Sequence, residues 1–216
     1  MATFRKNRKE LTLWNRCLKR SFDVSLSLVG MSFTSWIILA AYVLASLETK
    51  SNGFFIQKRI GRNGRIFHFV KIRTMRNCNA SNTTVTTSKD PRVTRLGRIL
   101  RKTKIDELPQ LIHVFFGQMS LVGPRPDVPG FADKLGGSDR VILTIRPGIT
   151  GPATLKYRNE EDLLSSVQDP ERYNEEVLFP DKVRLNREYV ESYRFLNDIE
   201  YVFRTLAPKW GSSNAR

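Results

Sequence analysis

The 216-residue chain contains only two cysteines and two histidines. Cys17 and Cys78 form no C-x-x-C pair and have no histidine nearby, which argues against a zinc site and against a disulfide framework. We interpret both as free thiols in a reducing compartment. His68 and His113 are assigned no role, because a packed or surface histidine is more common than a catalytic one.

Acidic residues are scarce relative to basic ones: 21 Asp and Glu against 36 Lys and Arg give a formal net charge of +15. This charge indicates an anionic partner and leaves nucleic acid, an acidic membrane surface and phosphorylated small molecules open.

One stretch lacks charge altogether. Residues 24–46 carry no charged side chain and, at about 1.5 Å per residue, are long enough to cross a bilayer core.

Basic residues flank this apolar stretch on both sides, so the positive-inside rule prefers neither orientation strongly. A re-entrant helix that enters and leaves on the cytoplasmic face satisfies both flanks, and hydroxyls in its first half can bond carbonyls freed at a bend. We favour a re-entrant membrane helix over residues 21–48, with a spanning helix as the alternative. Residues 1–20 are predicted as a basic interfacial segment or a solvated tail, and residues 207–216 as a tail.

The rest of the sequence predicts an α+β fold, mainly helical, in which the membrane helix precedes a compact cytosolic catalytic domain over residues 49–206. Aromatic and branched residues around a turn at 61–64 predict a small β-hairpin with Phe67, Phe69 and Ile72 towards the core. Further predicted elements follow along the chain: a polar loop over 77–88, a helix with a cationic face over 94–102, and two helical pieces over 169–206 separated near residue 179.

The sequence KIDELPQL places two adjacent carboxylates, Asp106 and Glu107, just after several basic residues. Pro109 is tolerated only in the first turn of a helix, so Asp106 is expected near the start of a helix over 107–116. One interpretation is ordinary helix capping. The other is chemistry, because carboxylates held near arginine stay ionised and can attack phosphorus or bind Mg²⁺.

Several motifs occur in a fixed order: KRSFD at 19–23, KIRTM at 71–75, DPRVTRLGRILRKTKIDELPQL at 90–111, MSLVGPRP at 119–126 and RPGITG at 146–151. With the apolar segment, they resemble the small bacterial sugar transferases. These monotopic phosphoglycosyl transferases start polysaccharide and glycoconjugate assembly on polyprenyl phosphate. The resemblance covers nearly the whole chain, from about Lys19 to Leu206.

In that family the Asp-Glu dyad, here Asp106 and Glu107, is catalytic. The resemblance implies that Asp106 attacks the β-phosphate of a UDP-sugar, releases UMP and carries the phosphosugar until undecaprenyl phosphate accepts it. It also implies Mg²⁺ as the cofactor, with both dyad carboxylates as ligands. Asp198 matches a further family carboxylate and is predicted to be catalytic by helping to deprotonate the lipid phosphate.

Five basic residues are candidates for binding the substrate phosphates. Arg101, Arg125 and Arg146 fall on family positions suited to that role. Lys71 and Arg73, in KIRTM, are further candidates. Ordinary surface charge is the alternative explanation for Lys71, Arg73 and Arg146.

Two departures from the family pattern affect the predictions. Relatives usually carry Ser-Pro in the apolar segment where this chain has Ser35-Trp36, so the backbone hydrogen bond that the proline would delete can form. After RPGITG the chain reads PATLKYRNEE, so the identity of the sugar is not transferred from any relative.

The resemblance predicts the bacterial inner membrane as the location, with the catalytic domain facing the cytoplasm. Expected partners are a UDP-sugar, undecaprenyl phosphate, the membrane and downstream glycosyltransferases, and no nucleic acid is expected. The rival hypothesis is a basic membrane- or nucleic-acid-binding module without catalysis.

Overall fold

The computed structural model describes residues 11–76, 86–88 and 90–207. They form a mainly helical α+β fold with one long apolar helix and a small antiparallel sheet, which confirms that part of the predicted fold class. Most of the predicted polar loop, the first ten residues and nearly all of the predicted tail lie outside the described residues.

The first helix, α1 (Leu13–Thr49), is continuous. It begins after Thr12, whose hydroxyl accepts a first-turn backbone N–H at 3.3 Å, and it ends at Lys50, which adopts the left-handed conformation with φ of 50°. Its 37 residues extend over roughly 55 Å. Hydroxyls in its middle donate to carbonyls three or four residues earlier in the same helix, and the helix runs unbroken through Ser35-Trp36.

Both ends of α1 pack on the rest of the protein. Near its start, the ring of Phe22 meets that of Phe195 edge-to-face, with centroids 5.4 Å apart. Near its end, Ala41 and Ala45 are buried against the hairpin and the second helix. Among the described residues, α1 is the one helix long and apolar enough to cross a membrane by length and composition.

The predicted hairpin is confirmed. Strand β1 (Phe54–Ile60) pairs antiparallel with β2 (Ile66–Ile72) across a short 3₁₀ turn, in which Asn63 has a φ of 59°. Phe67 and Phe69 are buried in the largest hydrophobic cluster, and Ile72 is buried against the end of α1, as expected. The other buried members of the largest cluster are Val114, Met119, Leu121, Val122, Ile145, Tyr189 and Val190.

The cationic helix is confirmed as α2 (Arg95–Thr103). The hydroxyl of Thr94 caps it by accepting the Gly97 backbone N–H at 2.9 Å. Lys104 then ends the helix in the left-handed conformation, with φ of 59°, and turns the chain towards the dyad.

The dyad does not cap a helix, so the capping interpretation is wrong. Asp106 and Glu107 lie in a separate 3₁₀ turn (Ile105–Glu107), and α3 (Gln110–Phe115) begins later than predicted. Pro109 stands at the N-cap position of α3, which has no side-chain cap hydrogen bond. The proline, which cannot donate, starts the new helix and leaves the carboxylates before it.

Two short strands bring the GPRP and RPGITG motifs together. Strand β3 (Ser120–Val122) runs parallel to β4 (Gly148–Thr150), with Ser120 opposite Gly148. The two backbone segments approach so closely that a Cβ atom on Gly148 would lie 2.1 Å from the Gly123 nitrogen. Glycine is therefore required there to hold the loop that carries Arg125.

The C-terminal part is helical, with the elements α4 (Pro152–Lys156), α5 (Glu160–Ser165), α6 (Pro170–Tyr173), α7 (Phe179–Glu191) and α8 (Phe195–Leu206). The predicted break near residue 179 is wrong, because a π-helical turn (Asn174–Leu178) joins α6 to α7. Pro180 lies in the first turn of α7, where its missing N–H is tolerated. The chain leaves the helix only at residues 192–194.

Candidate active site

The dyad occupies the turn between α2 and α3. Asp106 is only 4% exposed. Its Oδ1 atom is enclosed and has no hydrogen-bond partner among the described residues. A buried oxygen without a donor is costly, so this atom can accept a hydrogen bond from water or bind a metal ion or a substrate group.

Basic side chains from three different elements surround Asp106. Lys71 comes from β2, Arg101 from the last turn of α2, and Lys104 from the turn that precedes the dyad. Arg125 follows β3 and reaches Glu107. Three of the predicted phosphate ligands, Lys71, Arg101 and Arg125, are thus brought together at the dyad.

Burial raises the pKa of Asp106 to about 6, and the charge of Glu107 adds to the effect, while Lys71 and Arg101 oppose it. Asp106 is therefore mostly ionised at neutral pH and more basic than an exposed aspartate. An ionised carboxylate of raised basicity is a good nucleophile.

Glu107 forms a two-donor ion pair with Arg125. The guanidinium donates to both carboxylate oxygens, at 2.7 and 3.0 Å. Burial acts against ionisation of Glu107, but the charge and hydrogen bonds of Arg125 outweigh it and lower the pKa of Glu107 to about 2. Glu107 also raises the pKa of Arg125, so this pair stays ionised.

The inner face of the hairpin carries Lys71 and one further cation, Arg59. The ammonium of Lys71 lies 5.3 Å from the ring centre of Phe55, and burial lowers its pKa to about 8. The guanidinium of Arg59 lies 5.4 Å from the ring centre of Phe69 and donates to the Pro126 carbonyl at 3.0 Å. The Nε atom of Arg59 is buried and has no hydrogen-bond partner within the described ranges.

The start of α5 closes one side of the site with two acidic residues. Glu161 accepts a hydrogen bond from Arg101 at 2.8 Å, and Glu160 accepts one from Lys182 at 2.6 Å. Arg101 also donates to the Thr74 hydroxyl at 2.9 Å. Asp127 lies among these charges, and burial raises its pKa to about 6 against the opposing effect of Lys182.

A sequence profile of the family described as bacterial sugar transferase matches residues 14–210. The chain belongs to this family. Family membership confirms the predicted resemblance and makes the protein an enzyme, a transferase, rather than a binding module. The ordered motifs of the sequence, of which the structure brings those with Lys71, Arg101 and Arg125 to the dyad, are thus those of a sugar transferase.

Three similar proteins illustrate the family. The exopolysaccharide production protein ExoY of Sinorhizobium fredii is 32% identical over 204 residues, which cover 87% of this chain and 83% of the relative. The galactosyl transferase CpsE of Streptococcus agalactiae is 32% identical over 202 residues, 87% of this chain and 41% of CpsE. The UDP-N-acetylgalactosamine-undecaprenyl-phosphate N-acetylgalactosaminephosphotransferase of Aeromonas hydrophila is 32% identical over 196 residues, 88% of this chain and 43% of the relative.

Two predicted phosphate ligands of this sugar transferase have partners away from the dyad. Arg73 donates to the carbonyls of Asn52 and Phe54 at 2.7 and 3.3 Å, at the open end of the hairpin. Arg146 donates to the Gly117 carbonyl at 2.7 Å. The charged groups that act on Arg146 are Arg20, Arg62 and Asp23, and the dyad is not among them.

Asp198 is completely buried in a separate polar cluster. Its Oδ2 atom accepts from the Lys19 ammonium at 2.6 Å and from the Tyr193 hydroxyl at 3.0 Å, and its Oδ1 atom accepts from the Tyr189 hydroxyl at 2.5 Å. Lys19 also donates to the Val122 carbonyl at 2.8 Å. The hydrogen bonds tie α8 to α1, and the catalytic role of Asp198 stays a prediction.

The two proposed Mg²⁺ ligands differ in their fit. The enclosed, unpartnered Oδ1 of Asp106 is an oxygen donor of the kind that Mg²⁺ prefers. Both oxygens of Glu107 already accept hydrogen bonds from Arg125. No cluster of three or more metal-binding side chains occurs within the described ranges. Mg²⁺ commonly takes one or two carboxylates together with substrate phosphates, so Asp106 alone fits that pattern.

Sequence reasoning missed Arg59, Glu161 and Lys182. A signal for Arg59 was present: strand alternation places it on the hairpin face of Phe67 and Phe69, which also carries Lys71. Nothing local marks Glu161, because its partner lies 60 residues earlier in the chain. Only the folded arrangement shows that α5 borders the site.

Proposed function

We propose that this protein transfers a sugar-1-phosphate from a UDP-sugar to undecaprenyl phosphate through a covalent intermediate on Asp106. The observation that carries the proposal is a buried carboxylate with an unpartnered oxygen, surrounded by Lys71, Arg101 and Arg125. The printed name of the Aeromonas relative, which includes both UDP-N-acetylgalactosamine and undecaprenyl phosphate, supports the substrate classes.

The reaction has two balanced steps. An oxygen of Asp106 bonds to the β-phosphorus of the UDP-sugar, the bond to the bridging oxygen breaks, and UMP leaves with that oxygen. An oxygen of undecaprenyl phosphate then bonds to the same phosphorus, and the bond to Asp106 breaks. The products are undecaprenyl-diphosphate-sugar and the regenerated carboxylate.

The side chains around the dyad supply positioning and charge. Arg125, held by Glu107, and Arg101 and Lys71 neutralise the diphosphate and the charge that moves to UMP. When bound, Mg²⁺ at Asp106 would add further neutralisation of the phosphate oxygens. Glu107 keeps the Arg125 fork in one orientation, since its two oxygens match the two donors.

A trapping experiment tests the covalent step. Purified protein is mixed with UDP-glucose, UDP-galactose or UDP-N-acetylgalactosamine labelled in the sugar, without lipid acceptor. We expect one of them to give UMP and a protein-bound, hydroxylamine-sensitive label that is lost in Asp106→Asn and discharged by undecaprenyl phosphate. Release of UMP that persists in Asp106→Asn would remove Asp106 from the nucleophile role.

We also propose that α1, predicted as a re-entrant helix, enters the cytoplasmic leaflet of the inner membrane and does not cross the bilayer. Gly30 lies against Leu111, and Ile38 packs on the cluster that contains Ile72. Between these contacts α1 has about eight residues, roughly 12 Å of helix. A bilayer core is about 30 Å thick, so a helix attached to one domain at both ends does not cross it.

Cysteine labelling tests this topology. In a background with Cys17 and Cys78 replaced by serine, single cysteines are placed before the apolar segment at Asn15 and after it at Ser51. We expect a membrane-impermeant thiol reagent to label neither site from the periplasmic side and both after permeabilisation. Labelling of Asn15→Cys in intact spheroplasts would instead indicate a spanning helix.

A further inference from the structure

Helix α2 carries basic side chains on two faces. Arg101 points inward to Glu161. Arg95, Arg98 and Lys102 are exposed, and their i, i+3, i+7 spacing places them on one outward face. Within the part of the chain that the structure describes, no hydrogen bond or ion pair joins these three side chains to another residue. Among the described residues, their charges therefore have no acidic partner.

The same face also contains an exposed apolar side chain. Ile99 is 59% exposed and lies between the cations. The inner face of α2 packs through Leu96 and Leu100 on the end of α1. On its exposed side, that end of α1 carries an apolar set: Leu39, Val43, Leu44 and Leu47. A cationic face with one apolar side chain, next to an exposed apolar helix, suits a contact with anionic headgroups.

We propose that the outward face of α2 binds anionic phospholipid headgroups of the leaflet that α1 occupies. Three positive charges without partners complement a leaflet rich in phosphatidylglycerol, and Ile99 can enter the headgroup–acyl boundary. The phosphate of one undecaprenyl phosphate molecule could not pair with all three basic side chains of this face. Arg95 and Arg98 lie towards the end of α2 that is remote from Asp106, so a phosphate reacting at Asp106 would leave them unpaired.

This contact would set the height of the active site above the membrane. Since α2 leads through Lys104 directly into the dyad, a helix held on the headgroups keeps Asp106 at the level of a lipid phosphate. That consequence rests on the proposed reaction, and the lipid contact rests only on the proposed position of α1 in the cytoplasmic leaflet.

The test needs a local readout, because the apolar area of α1 dominates binding of the whole protein to vesicles. An environment-sensitive fluorophore is attached to Ile99→Cys, in the full chain with Cys17 and Cys78 replaced by serine. The protein is added to vesicles of phosphatidylcholine, of phosphatidylcholine with phosphatidylglycerol, or of phosphatidylcholine with a trace of undecaprenyl phosphate. Release of UMP after addition of a UDP-sugar to the same samples tests the proposed function separately.

We expect a blue shift with phosphatidylglycerol only, reversed by high salt. In R95Q/R98Q/K102Q, the phosphatidylglycerol content at half-maximal shift should rise about tenfold or more. The control K134Q/R140Q/R172Q removes the same net charge from exposed positions elsewhere and should leave the shift in place. Equal spectra in all vesicles, equal loss in the control, or a shift with undecaprenyl phosphate alone would each overturn the proposal.

Discussion

Asp106 and Asp198 are both buried aspartates on family-like positions, yet their surroundings are opposite. Asp198 is 0% exposed and accepts hydrogen bonds from Lys19, Tyr189 and Tyr193. Asp106 is 4% exposed, and its Oδ1 atom accepts none from the described residues, although cations lie around it. The hydrogen-bonding capacity of Asp198 is filled by side chains of the protein, whereas Oδ1 of Asp106 can still accept a hydrogen bond or bind a ligand.

Burial and charge alone therefore do not identify a catalytic carboxylate. Both aspartates have lysine or arginine nearby, so neither the sequence nor the distribution of charge distinguishes a catalytic aspartate from a structural one. What separates them is whether the hydrogen-bonding capacity is filled, because a filled carboxylate stabilises the fold and an unfilled one can bind or react.

The largest expected effect is on catalysis at Asp106. Asp106→Asn keeps the size of the side chain but removes the anionic nucleophile, so turnover should fall by about 10³-fold or more. The melting temperature should not fall, since the folded protein loses a buried charge that has no hydrogen-bond donor at Oδ1. Turnover is measured as UMP release and stability by thermal unfolding in detergent. A large loss of stability would place Asp106 with Asp198, as a structural residue.

At Asp198 the opposite result is expected. Asp198→Ala leaves the buried Lys19 ammonium without its anion, which should cost about 3–5 kcal/mol of unfolding free energy. Turnover per folded molecule should change much less than in Asp106→Asn. The double variant Lys19→Met with Asp198→Leu removes both charges and should recover part of the lost stability. If the double variant is folded but inactive, the catalytic role that the resemblance implies for Asp198 gains support.

The arginines allow a finer comparison. Arg125→Lys keeps the charge but loses the two-donor fork that matches Glu107, so kcat/KM for the UDP-sugar should fall about tenfold to a hundredfold. Arg146→Lys is the matched control and should have little effect, because Arg146 donates to the Gly117 carbonyl away from the dyad. Equal losses in both variants would return Arg146 to the phosphate-binding set.

Local rules predicted the elements whose causes are local. Alternation around the turn at residues 61–64 located the hairpin and its buried phenylalanines, and Thr94 marked the start of α2. The same rules misplaced the break near Pro180. A π-helical turn precedes the proline, and the helix continues through it in a way that the local pattern did not indicate. The unbroken α1 follows from a local cause, the tryptophan in place of the expected proline.

The site itself was predictable only in part. Asp106, Glu107, Arg101 and Arg125 belong to recognisable motifs, and the fold brings them together. The roles of Arg73 and Arg146 could not be judged from sequence, since both lie in similar basic motifs and only their partners distinguish them. The placement of α5 beside Arg101 likewise depends on a contact between distant parts of the chain.

The smallest expected effect is at Glu161, which forms an ion pair with Arg101 when no phosphate is bound. Its side chain is 45% exposed, so the pair contributes little in water, and a diphosphate can displace the carboxylate from Arg101. Glu161→Gln should lower KM for the UDP-sugar about twofold to fivefold at low salt with kcat unchanged, and the gain should shrink as salt is added. Glu160→Gln, which frees Lys182 instead, is the control and should shift KM less. A rise in KM for Glu161→Gln would mean that Glu161 orients Arg101 and does not compete with the diphosphate for it. The ion pair between Arg101 and Glu161 would then have a structural role, like the hydrogen bonds of Asp198.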